Sequence, residues 1–323
     1  MKRIVAADIG GTHARFAIAE ISAGEPVSLD QPVKFQTSDY ASFQTAWEEF
    51  GRRKGIELPP DLAIAFAGPV GAESLKLTNN PWVISPSLMK DRLGIERLTI
   101  VNDFGAVAHA VATLPQDHFR MICGPDRPLP DTGVISIVGP GTGLGVAMLL
   151  RRATGYEVME SEGGHVDFAP LDTIEDQILV QLRRNFRRVS VERVASGRGL
   201  WNLYEALSAI EGRPPTLRDD KELWASALEG SDSLASAALD RFCLTLGSVA
   251  GDIALTQGAS ALVIAGGVGL RLGDHLPQSG FRDRFIAKGR FERRMNDLPV
   301  KLIAHPEPGL FGAATAFARD HLE

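Results

Sequence analysis

A chain of 323 residues is long enough for two domains and a large buried core. Its 44% apolar and 23% charged residues are ordinary for a globular protein, and a formal charge of −6 argues against a nucleic-acid surface as the main partner. Two cysteines make neither a disulfide framework nor a zinc ligand set and suit a reducing cytoplasm, the apolar start breaks at Asp8 too soon for a signal peptide, and no run approaches the ~18 residues of a membrane span.

In chain order, "RIVAADIGG" reads as a strand and "THARFAIAEIS" as a second one. Residues 41–56 carry apolar side chains at helical spacing, with Gly55 as a stop. "DLAIAFAGPVG" is a buried strand closed by a Gly-Pro turn, and residues 98–115 change period from strand to helix at Asn102-Asp103, with Pro115 ending the helix. The Pro-rich residues 123–133 read as a linker or a surface loop, and "VISIVGPGTGLGVAMLL" as strand, glycine loop, strand. Helical patterns fill "TIEDQILVQLRRNF", "RGLWNLYEALSAIEG", much of 221–258, and the final "GLFGAATAFARDHL". The order of elements indicates an α/β protein, and the recurring strand-then-glycine pattern hints at two related halves.

Three glycine loops follow apolar strands, at "ADIGGT", "VGPGTGLG" and "VIAGGVG". Glycine reaches positive φ and lacks a Cβ, so backbone N–H groups can approach a phosphate, and Thr12 and Thr142 add hydroxyls. No G-x-x-x-x-G-K-[ST] is present, and glycines at 139, 141, 143 and 145 do not make G-x-G-x-x-G, so neither a P-loop nor a dinucleotide fold is expected. Asp103-Phe104-Gly105 spells a protein-kinase motif, but no H-R-D loop or V-A-I-K strand accompanies it.

These segments resemble the phosphate-1, phosphate-2 and adenosine motifs of the actin/hexokinase/Hsp70 ATPase superfamily. "VNDFGAVA", "SEGGHVDFAP", "SVERVASGRGLWNLY" and "HPEPGLFGAATAFA" narrow the resemblance to the bacterial glucokinase family, in order along residues 4 to about 318. The resemblance implies a two-lobed actin-like (ribonuclease H-like) ATPase fold with a central cleft. It implies a small α/β domain from residues 1–112 plus about 300–323, and a large one from about 113–299.

The activity implied is ATP-dependent phosphorylation of the 6-hydroxyl of D-glucose, the first step of glycolysis. ATP would be held by Ala7, Asp8, Ile9, Gly10, Gly11 and Thr12, by Gly141, Thr142 and Gly143, and by Gly266 and Gly267. Asp8 would hold Mg²⁺ through water, which suits a hard cation that keeps its hydration shell. Asp103 is the expected general base, where a helix N-terminus favours a carboxylate. With Asn102, Glu162, His165 and Glu192 it would bind the sugar. Capping for Asn102-Asp103, a metal pair for Glu162 and His165, and a solvated helix carboxylate for Glu192 are the competing structural readings. The turn "LTNNPW" is expected to shape the same cleft, with Asn79 or Asn80 on the sugar.

Two details depart from the family pattern: Pro140 removes an N–H from the second phosphate loop, and His13 follows Thr12 where asparagine is frequent. A kinase for mannose, fructose or an N-acetylhexosamine, and polyphosphate or ADP as donor, remain open from sequence. So does a non-catalytic sugar sensor, although the first strand begins at residue 4 and leaves no room ahead for a helix-turn-helix. The basic run 181–193 reads as a solvated helix face, with Arg183/Arg187 and Arg184/Arg188 at i,i+4. No nucleic acid and no membrane are expected as partners, and a homodimer in the cytoplasm follows by analogy.

Overall fold

The computed structural model describes residues 1–24, 27–71, 73–77 and 80–322. The chain divides into two units, Met1–Pro115 with His305–Glu323, and Gln116–Ala304.

In the first unit the apolar opening run forms β1 (Lys2–Ile9) and turns back into β2 (His13–Ile21), extended by β3 (Ser28–Leu29) and β4 (Val33–Gln36). Helix α1 (Phe43–Lys54) starts at a Ser42/Thr45 capping box and stops at Gly55, which takes the left-handed φ of 64° that a side chain would resist. Then come β5 (Asp61–Phe66), the small pair β6 (Leu75–Lys76) and β7 (Val83–Ile84), α2 (Pro86–Leu93), β8 (Arg97–Asn102) and α3 (Asp103–Thr113). The sheet runs β3-β2-β1-β5-β8 with β4 on β2; β1 and β2 are antiparallel, whereas β1, β5 and β8 run parallel.

The second unit opens with β9 (Phe119–Cys123), the hairpin β10 (Gly133–Pro140) and β11 (Leu144–Arg152), and β12 (Gly155–Ser161). Helices α4 (Thr173–Leu182), α5 (Gly197–Glu211), α6 (Asp220–Glu229) and α7 (Ser233–Thr256) precede β13 (Ala261–Ile264). After α8 (Gly266–Arg271), α9 (Phe281–Ile286) and α10 (Glu292–Asn296), strand β14 (Val300–Ile303) pairs with β13. That pairing keeps residues 300–304 in the second unit. Its sheet runs β12-β11-β10-β13-β14-β9, so both units share one plan, an antiparallel hairpin whose first strand continues into parallel neighbours. Helix α11 (Pro308–Leu322) returns the chain to the first unit.

Both faces of the first sheet are covered, which is why β1 reads as an unbroken apolar run rather than an alternation. Val5, Ala7 and Ile9 join an aromatic core with Phe16, Phe50 and Trp82, while Ile4 and Ala6 face the opposite way toward Leu310 and Phe317 of α11. Alanines on that second face let helices come close. At the α3–α11 crossing Gly312 lies directly on the Ala106 carbonyl, where no Cβ would fit.

His109 of α3 is buried in this layer, and burial together with the Arg319 charge lowers its pKa from 6.5 to about 4. A group whose pKa is depressed by folding contributes stability above its unfolded value and loses it as pH falls through the folded one. The shift from 6.5 to about 4 corresponds to ~3 kcal/mol, lost between those two pH values. His109→Leu is therefore expected to flatten the acid limb of a pH-dependent urea-unfolding series over that window; an unchanged limb would remove His109 from the account.

Candidate active site

Parallel strands end at the same sheet edge, and their register aligns Ile9 with Phe66 and Phe66 with Asn102. With neighbouring strands ~4.8 Å apart, Asp8 and the Asn102-Asp103 pair stand two strands, or about 10 Å, apart on one edge. Asn102 ends β8 and caps α3: its Oδ1 accepts from the N–H groups of Phe104 (2.9 Å) and Gly105 (3.2 Å), and its Nδ2 donates to the Gly68 carbonyl. The capping reading thus holds for Asn102. Asp103 occupies the first helical position, half-buried, with Oδ1 also accepting from Phe104 N–H at 2.9 Å. Its charge lies where the helix dipole favours an anion.

The β1–β2 hairpin sets Arg15 directly across from Asp8. Arg15 donates to the Asp8 carboxylate at 3.2 Å and reaches Glu307, just before α11, at 3.4 Å. Burial raises the Asp8 pKa despite Arg15, and burial with help from Asp8 raises that of Glu307. Gly309 lies against the Asp8 carboxylate, its missing side chain leaving room for it. The turn after β1 is tied down by its carbonyls. Gly11 O accepts from Thr37 Oγ1 (2.8 Å) and Asn80 Nδ2 (3.3 Å), and Thr12 O accepts from Thr37 N–H. Asn80 thus supports the loop, and its Oδ1 accepts from Trp82 N–H; Asn79 lies outside the described residues. His13 is held below its usual pKa by burial and by Lys34 and Arg15.

In the second unit, residues 141–143 join β10 to β11, and Gly266 follows the end of β13 beside them. Of the expected loop glycines only Gly266 takes a left-handed φ, +79°, and a Cβ there would meet the Pro140 carbonyl at 2.5 Å. Gly143 instead serves by lacking a side chain, whereas a Cβ at Gly141 or Gly267 would meet nothing within 4 Å. Gly143 lies against the Glu192 carboxylate, whose Oε2 accepts from Leu144 N–H at 2.9 Å. Glu192 is thereby bound to the β10–β11 hairpin, not a solvated helix carboxylate.

The "EGGH" segment is seated on the same hairpin. Gly164 lies on the Leu144 carbonyl, where no Cβ would fit, and Gly163 packs tightly against the Val146 side chain. Residues 166–168 then zip to 189–191 through Val191 N–H to Val166 O (2.9 Å) and Phe168 N–H to Val189 O (3.0 Å). This brings Glu162 and His165, 3.9 Å apart and both exposed, into the same neighbourhood as Glu192. Among the described residues no three His, Cys, Asp or Glu side chains form a cluster that could hold a metal ion.

The glucokinase family model matches residues 5–320. A glucokinase of Zymomonas mobilis is 61% identical over 320 residues, covering 99% of both chains. The chain belongs to the glucokinase family. Its members phosphorylate sugars, and the chain is a hexose kinase. The crystal structure of a glucokinase from an Antarctic psychrotroph superposes with a TM-score of 0.85 at 33% identity, covering 99% of each chain. A ROK family glucokinase from Streptomyces griseus, solved with glucose and AMPPNP, matches the fold with a TM-score of 0.64 at 18% identity over 98% of this chain and 99% of that one.

Family membership also puts the residues that sequence reading missed in context. Arg15 was readable in principle, since a hairpin turning at residues 10–12 must set residue 15 opposite residue 8. Glu307 had no such signal, because it joins the site from 299 residues away. The basic run was misread: α4 stops at Leu182, so Arg187 and Arg188 lie off the helix. Arg188 pairs with Asp167 at 2.6 Å and donates to the His165 carbonyl at 2.6 Å, fixing the segment that carries His165.

Proposed function

We propose that the chain transfers the terminal phosphoryl group of ATP to the 6-hydroxyl of D-glucose. What carries this reading is one observation: a carboxylate at a helix N-terminus and a carboxylate beside a glycine loop share one edge of the first unit's sheet. Phosphoryl transfer asks for little else from a protein than a proton acceptor, alignment and charge neutralisation. Asp103 takes the proton from the sugar's 6-hydroxyl as that oxygen attacks the γ-phosphorus, and ADP leaves on the opposite side. Asn102, Glu162, His165 and Glu192 bind the other hydroxyls, where an inverted or missing hydroxyl would leave buried groups unpaired.

Ala7 to Thr12, Gly141 to Gly143, and Gly266 with Gly267 cradle the nucleotide. Each unit is read as one lobe of an actin-like ATPase fold, because the two sheets share one plan. Asp8 and Glu307 set two carboxylates around the single guanidinium of Arg15, an excess of negative charge that a divalent cation would offset. Mg²⁺ held there through water by Asp8 would neutralise charge on the phosphates. By analogy with the family, the enzyme works as a homodimer in the cytoplasm. Burial pushes the Cys123 and Cys243 thiols up to about 12, which makes both inert at neutral pH.

The test is turnover of ATP by the purified chain against a panel of glucose, mannose, fructose and N-acetylglucosamine, with ADP, polyphosphate and ATP compared as donors. The highest kcat/KM is expected for glucose with ATP. A preference for another hexose would overturn the substrate assignment, and glucose binding without any transfer would turn the chain into a sensor.

A further inference from the structure

At the opposite end of β13 from Gly266, the second unit carries an open basin of about 590 Å³. Ser260, which donates its N–H to Val134 O just before β13, forms part of its wall. The rest is dominated by charge: the guanidiniums of Arg127, Arg290, Arg293 and Arg294 stand against the single carboxylate of Asp297.

Three features separate this basin from an ordinary solvated surface. The chain as a whole is acidic, at −6, so four cations around one carboxylate run against its overall charge. Elsewhere in the unit several arginines bind carboxylates: Arg241 and Arg284 both bind Asp172, and Arg188 binds Asp167. Among the described residues the four basin arginines form no ion pair, and the nearby Asp126 is engaged by Lys301. Finally, two of the four are held by contacts that leave their charge unsatisfied. Arg127 donates to the Asp297 backbone carbonyl at 2.7 Å, and Arg290 lies over the Phe291 ring.

Guanidinium groups stay charged at any physiological pH and offer forked donors that match phosphate oxygens two at a time. All four cations are arginine and none is lysine, which favours such forked recognition over diffuse attraction. A volume of about 590 Å³ lies within the ~300–1,000 Å³ of small-ligand sites. Four positive charges against one negative call for a ligand with several negative charges rather than a monocarboxylate. We propose that this basin binds a small anion bearing at least two phosphate groups, at a site remote from the phosphate loops of β10 and β13. The shared chemistry fits an inorganic oligophosphate, a nucleoside diphosphate or a sugar bisphosphate.

Isothermal titration calorimetry with inorganic tripolyphosphate, ADP and a hexose bisphosphate distinguishes these sources. It is run on wild type, on Arg290→Gln/Arg293→Gln/Arg294→Gln, and on Asp8→Asn to isolate the contribution of the phosphate-1 loop. At least one probe should bind wild type and Asp8→Asn alike, weaken as NaCl is raised, and lose tenfold or more in affinity in the arginine variant. Because those side chains are exposed, the variant should keep the wild-type melting temperature and its hexose kinase activity without added anion; the pair Arg293→Gln/Arg294→Gln serves if the triple variant unfolds. Binding that survives the arginine substitutions, binding abolished by Asp8→Asn instead, or no binding of any probe would each overturn the proposal.

Discussion

Asp103→Ala should lower kcat by about 10²–10⁴ while leaving glucose affinity within a few-fold of wild type, as expected when a general base is removed. That is ~3–5 kcal/mol of transition-state stabilisation with little ground-state cost. The separation follows from the structure: Asn102, not Asp103, supplies the two-pronged cap of α3, so the helix start keeps its principal hydrogen bonds in the variant. Calorimetry for glucose and a coupled assay for ADP read the two quantities independently. Asp103→Asn sharpens the comparison, because it retains shape and hydrogen bonding and removes only the proton acceptor. Turnover that survives both substitutions would take the base away from Asp103.

Asp8→Asn is expected to have two opposite effects. Activity should drop by ~10²-fold or more, since the amide no longer provides a charge for the cation at the phosphates. Stability without ligands should rise at neutral pH. Burial lifts the Asp8 pKa above its ordinary 3.8 even with Arg15 alongside, so folding costs more with this carboxyl ionised than with it protonated. A carboxyl raised in this way favours folding fully below its unfolded pKa and loses that contribution as pH climbs through the folded value. Above that value wild type carries the cost of a buried charge and the asparagine variant does not. The gap in melting temperature between them should therefore be widest near neutral pH and close as the solution is acidified toward 3.8. A variant that melts lower than wild type at neutral pH would mean that the Arg15 pair outweighs burial.

The parts of this molecule that could be read from the sequence are those where a local rule and the final packing agree. β1 announces itself because both its faces are buried, and the change of period at Asn102 marks a strand end and a cap in adjacent residues. The helix face expected over 181–193 shows the reverse. Its arginines keep a helical spacing beyond Leu182, yet the chain leaves the helix so that residues 189–191 can pair with 166–168. No local pattern encodes that pairing. The glycine loops divide by cause: Gly266 takes a positive φ, whereas Gly143 leaves room for the Glu192 carboxylate that lies against it. The attachment of Glu192 to Leu144 spans 48 residues and depends on two loops meeting, which spacing alone cannot show.

The return of α11 to the first unit bears on the order in which a ribosome can complete this protein. Residues 116–304 form a continuous unit with its own core, and all of it is synthesised before α11. The first unit is translated earlier but cannot finish: one face of its sheet waits for Leu310, Ala313, Ala314 and Phe317, and Asp8 waits for Gly309 and Glu307. The segment made first is thus among the last to mature, and during synthesis an apolar sheet face stays open to chaperones. A chain truncated before residue 308 and released from the ribosome should carry a protease-resistant second unit and a protease-sensitive start.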